Sequence, residues 1–119
     1  MGRRARARGR IDTLRAPEVE YRGEDGAVLT LRGALSASTR RGYDAVRTDQ
    51  ARTTDDSWQR SVEFLFERLV VRWDVAGVPT EGQKELLGRF RMASSEERRW
   101  IRDVLRTHLA EHFPEVVAP

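Results

Sequence analysis

His108-Leu-Ala-Glu111-His112 is the short run of this 119-residue chain whose residue types and spacing match a reaction centre. Two histidines one helical turn apart can hold a metal ion, and a nearby carboxylate can act as base, the H-x-x-E-H pattern of inverted zinc peptidases. A catalytic zinc also needs a third protein ligand and an open position in a shaped cleft. Here Glu115 is almost adjacent to His112, and the upstream acids read as ordinary surface residues. The other reading places His108 at the edge of a core and His112 near a helix end, where a cation interacts favourably with the dipole. No serine stands in a nucleophile elbow. The lack of cysteine removes thiolate catalysis, disulfides and cysteine-ligated metals together. The expectation is therefore a protein that is not an enzyme, with no catalytic residue, no metal and no cofactor.

Arginine is the second chemistry-bearing residue type. Residues 1–15 hold Arg3, Arg4, Arg6, Arg8, Arg10 and Arg15 against Asp12, a local charge of +5 in a chain whose net charge is +3. The rest of the chain is thus slightly acidic, and the high pI describes an arm rather than a basic face. Each arginine of the arm that meets a phosphate releases counterions, so Arg3, Arg4, Arg6, Arg8 and Arg10 are candidates for weak, salt-sensitive, nonspecific nucleic-acid contact. The competing reading is a solvated, disordered terminus without interleaved aromatics. Arg98, Arg99, Arg102 and Arg106 would lie on the recognition helix of a helix-turn-helix, but Glu96, Glu97, Asp103 and Glu111 share that segment and suit capping and charge pairs one turn apart.

These groups need elements to hold them. Trp58, Val62, Leu65, Phe66, Leu69, Val70 and Trp73 recur at three- and four-residue steps, which predicts a long helix with one wide apolar face. Asp55 or Asp56 would start it, Gly77 would cap its C-terminus and Pro79 would prevent continuation. Val19–Arg22 and Ala27–Arg32 flank Gly23-Glu-Asp-Gly26 and read as a hairpin whose Leu29 and Leu31, with Val19 or Tyr21 opposite, face inward. Ser36 or Ser38 would cap a short helix through Tyr43 and Val46. Thr80-Glu-Gly-Gln83 and Ser94-Ser-Glu-Glu97 both have the form of a capping box, opening a third helix through Leu86, Leu87 and Phe90 and a fourth with Trp100, Ile101, Val104, Leu105, His108 and Leu109 on one side. Phe113-Pro114 closes the last helix. No sequence segment repeats.

The expected fold is mostly α: a small single domain over residues 17–116, with an N-terminal β-hairpin packed on about four helices and a disordered basic arm, residues 1–16, in front. No apolar run reaches the length of a membrane span, and no apolar stretch follows the basic N-terminus, so the protein is expected in the cytoplasm. Trp58, Trp73 and Trp100 are in phase with apolar stripes and read mainly as core. Trp58, at the start of its helix, is the tryptophan best placed to serve as an exposed partner anchor. Phe64 and Val71 join it as candidate partner-binding residues.

The run from Trp58 to Leu69, then Val71-Arg-Trp73, Ala76-Gly-Val-Pro79, Leu86-Leu-Gly-Arg-Phe-Arg-Met-Ala-Ser94 and Glu97-Arg-Arg-Trp100, resembles tail assembly chaperones of phages and prophages in actinobacteria. Gly26–Arg32, Leu35 and Thr39-Arg-Arg-x-Tyr43 extend the similarity to about residues 18–116, and the arginine arm lies outside it. The resemblance implies a noncatalytic factor that keeps a tape measure protein soluble during tail assembly, contacts other tail proteins in the host cytoplasm and is absent from the mature virion. A second expectation from the residues themselves is a small nucleic-acid-binding or regulatory protein using the arm and the last two helices.

Overall fold

Alternation of apolar and polar residues builds the first element pair. Val19–Arg22 (β1) and Val28–Leu31 (β2) pair antiparallel, with Val19 opposite Leu31 and Tyr21 opposite Leu29. Leu29 and Leu31 are fully buried, as their spacing predicts. The hairpin turn is closed by Gly26 at φ 85°, and the Asp25 carboxylate accepts from the Ala27 N–H. The computed structural model describes residues 17–50 and 53–119. The arm expected over residues 1–16, with Arg3, Arg4, Arg6, Arg8 and Arg10, lies outside the described residues.

Four helices follow the predicted order: α1 (Ala37–Arg47), α2 (Thr54–Leu69), α3 (Gln83–Arg91) and α4 (Ser95–His112). Ser36 caps α1 through Oγ, which accepts from the Thr39 N–H. Thr53 caps α2, so that helix begins slightly before the aspartates expected to open it, and Asp55 and Asp56 fall in its first turn beside the positive end of the dipole. Ser94 and Glu97 form the predicted capping box of α4, each side chain accepting from the other residue's backbone N–H.

The long helix does not reach Trp73. It stops at Leu69, and Val70–Val75 is a strand, β3, joined to a fourth strand, β4 (Val78–Glu81). A β-branched pair, Val70-Val71, opens β3, and the partner edge of β2 takes its backbone groups: Leu29 stands opposite Trp73 and Thr30 opposite Arg72. The Arg32 N–H donates to the Leu69 carbonyl at 2.8 Å and locks the switch point. Between Leu31 opposite Val70 and Thr30 opposite Arg72 the register shifts, leaving Val71 as the extra residue of a bulge. Residues three apart on a strand normally face opposite ways. The bulge turns Val70 and Trp73 to the same buried side, which is why the pair imitates helical spacing.

Two further expectations fall with that helix. Gly77 does not cap a helix; Ala76 (φ 52°) and Gly77 (φ 79°) are the two left-handed residues of a tight turn that sets Val75 opposite Val78. Nor does Thr80 cap α3: it pairs with Trp73 in the sheet, and the cap position belongs to Gly82 at φ 88°, which makes no side-chain cap bond. Pro79 sits in β4 opposite Asp74, an outer strand where a missing N–H is tolerated.

The four strands form one antiparallel sheet in chain order. One face packs Leu29, Leu31, Val70 and Trp73 against Leu65, Phe66 and Leu69 of α2, Phe90 of α3, and Ile101 and Leu105 of α4. On β3, Arg72 and Asp74 are two residues apart and so share a face, and Arg72 pairs with Asp74 at 3.1 Å and with Glu81 at 3.2 Å. The result is the expected class, a mainly helical small domain with an N-terminal hairpin, carrying a second hairpin inserted between α2 and α3.

Candidate functional site

Of the H-x-x-E-H residues, His108 is bound into the fold. His108 is fully buried on α4. Its Nε2 lies 2.7 Å from the Arg32 carbonyl and its Nδ1 2.8 Å from the Tyr21 hydroxyl. A carbonyl can only accept, so Nε2–H donates to it and Nδ1 accepts the tyrosine O–H. Both ring nitrogens are thereby engaged in tying α4 to the first hairpin. Burial pushes the His108 pKa below its ordinary value, opposed by the bond to Arg32 and reinforced by His112 one turn on. His112 is exposed, with its ring centroid 4.7 Å from that of His108. Among the described residues no group of three or more His, Cys, Asp or Glu side chains is placed to hold a metal.

A different surface gathers chemistry. The Ser94–Glu97 box fixes the start of α4, and the Glu97 carboxylate also accepts from Arg89, whose guanidinium lies 4.4 Å from the centre of the Trp73 ring. The hydrogen bond from the Ser94 N–H, with Arg89 beside it, holds the Glu97 pKa below the usual carboxylate range. That joint clamps α3, α4 and β3 together. Arg98 is consequently set over the Phe90 ring at 5.5 Å while donating to the Arg91 carbonyl at 2.9 Å. One turn further, Arg102 lies over the Trp58 ring of α2 at 4.6 Å.

Between these helices runs a groove of about 340 Å³. Trp58, Val62 and Phe90 supply its apolar lining, and Arg91, Arg98, Arg99 and Arg102 its charge. Glu63 is the acidic lining residue, and it is already paired with Arg91 at 2.8 Å. Arg99 and Arg102 form no ion pair among the described residues. Trp58 is 38% exposed, whereas Trp73 is 1% exposed. Tryptophan and arginine exposed side by side are the residue types enriched at protein interaction surfaces.

The three candidate partner residues do not converge. Trp58 lines the groove just described, and Phe64 lines a neighbouring one that shares Gln59, Glu63 and Arg91 with it and runs on to Val46 and Glu67. Phe64 is half-buried, tilted against Tyr43 and covered by Arg68 at 5.2 Å. Val71 is the half-buried bulge residue of β3 and lines neither groove. Val62 and Phe90 belong to the buried core and also border the groove; residues at the edge of an apolar stripe carry the same periodic signal as those at its centre, so the sequence does not mark them as groove lining. Met92 is 85% exposed in the turn between α3 and α4, and no sequence signal singles it out. Compared with known proteins, the chain matches no family model, no curated protein and no solved structure.

Proposed function

We propose that the protein is a noncatalytic tail assembly chaperone that binds helical segments of a tape measure protein in the host cytoplasm and keeps that client soluble. The observation that carries this reading is the open Trp58 beside Val62 and Phe90 in the groove between α2 and α4. A very long helical client has apolar seams that self-associate before assembly. A shallow groove with one large aromatic anchor covers such a seam reversibly, and repeated sites along the client multiply weak contacts. The resemblance of residues 18–116 to such chaperones supplies the second support.

Coexpression with a long helical tape measure protein tests the proposal. The client's soluble yield rises with the wild-type protein and falls back with Trp58→Ala, while the variant itself stays folded. No gain with the wild type overturns the reading. The alternative, nucleic-acid binding through the arm and the last two helices, gains less support from the packing. Arg98 and Arg102 of α4 are held over Phe90 and Trp58, which leaves their N–H edges to a ligand lying in the groove and not to a DNA groove entered by a projecting helix. Retention on DNA that survives high salt would favour that alternative.

A further inference from the structure

The groove has a sign as well as a shape. Four arginines line it against one carboxylate, and that carboxylate is spent on Arg91. Arg98 and Arg102 are four residues apart on α4, so they stand on one face about 6 Å apart along its axis. Carboxylates one turn apart on a partner helix repeat at the same interval. Beside the arginines lie Trp58 and Val62 of α2 and Phe90 of α3, which meet an apolar side chain and not a charged one.

We infer that the groove selects an acidic amphipathic helix: glutamates or aspartates spaced by one turn beside an apolar anchor residue, seated with the carboxylates on Arg98, Arg99 and Arg102 and the anchor against Trp58. This rests on the reading of the groove as a helix-binding site and adds which helices it takes. Single-stranded nucleic acid is the other anion with apolar faces, and the groove suits it poorly. Base stacking needs successive open aromatic platforms. Val62 and Phe90 are almost wholly buried, and Arg102 covers part of the one open indole. Arginine is also the cation whose planar fork matches a carboxylate with two parallel hydrogen bonds.

Fluorescence anisotropy with the full chain and labelled peptides tests the inference. Two helical peptides share an apolar stripe; one carries glutamates one turn apart beside it and the other lysines at the same positions, and a single-stranded oligonucleotide is the third probe. The acidic peptide is expected to bind at least about 10-fold tighter than the basic one at low salt, with the gap closing as salt rises. Arg99→Glu and Arg102→Gln each weaken the acidic peptide by roughly 5-fold or more. Arg99 is exposed and without an ion pair among the described residues, so its variant keeps the wild-type melting curve and serves if Arg102→Gln disturbs packing at Trp58. Equal binding of the two peptides overturns the charge selection and leaves the helix-binding reading intact. Binding of neither peptide overturns both, and preference for the oligonucleotide overturns both in favour of a nucleic-acid surface.

Discussion

His108 is an imidazole held neutral inside the domain by lack of water, and that has a pH signature. Its folded pKa is depressed while the unfolded chain keeps the ordinary value near 6.5. Above that value both states are neutral and the full stability is present. Below it the unfolded chain takes up a proton that the folded one resists, so stability falls as pH drops through and below about 6.5. Denaturant midpoints should therefore decline between about pH 7.5 and 5.5, before the carboxylates titrate. His108→Gln should flatten that decline whatever it does to stability at neutral pH. A wild-type midpoint constant across the window would remove His108 from this role. The same scale separates two tryptophans: Trp73→Ala should cost about 3–5 kcal/mol in chemical denaturation, and Trp58→Ala clearly less, because only the first is enclosed on all sides. Leu65→Ala and Leu69→Ala, both fully buried, belong with Trp73 at about 2–5 kcal/mol.

Among the elements, the β3–β4 turn carries a built-in strain. Ala76 adopts φ 52°, a left-handed conformation that a Cβ disfavours. Ala76→Asn should raise the stability by about 0.5–1 kcal/mol, since asparagine followed by glycine is the preferred pair for such a turn; an unchanged melting temperature would count against the strain. Ser94→Ala should cost about 0.5–2 kcal/mol through loss of the α4 cap. These two turns also mark what can be read from a sequence. The Ser94 box and the Leu29/Leu31 alternation were legible because each is a local rule with a local cause. The groove was half legible: Trp58 stood out by its place near a helix start, but the arginines that face it come from α4, four decades of residues away, and only packing unites them. β3 was not legible at all. Its bulge turns strand residues at 70 and 73 to one side, and a periodicity argument cannot distinguish that from a helix.

For the whole molecule, the last residues of the described chain contribute to the packing. The C-terminal residues are tied to α1, where Arg40 pairs with Glu115 and the Tyr43 hydroxyl donates to the Val117 carbonyl. Burial raises the Tyr43 pKa to about 12, so this donor keeps its proton throughout the working range. Tyr43→Phe should cost about 0.5–1.5 kcal/mol. Deletion of residues 2–15 should leave the melting curve nearly unchanged and reduce any retention on DNA at low salt. A truncated protein that fails to fold would make the N-terminal segment structural. Element order repeats as strand, strand, helix, helix although no sequence segment does, so both hairpins contribute to one sheet with a common buried face.

That sheet has an unusual boundary at β4. Pro79 offers no N–H there, and the strand is only four residues long. A neighbouring chain cannot dock a strand along such a border and propagate the ladder. The protein is thereby poorly suited to seed fibres on this side, and crowding it at high concentration should drive contacts through its helices and not through a growing sheet.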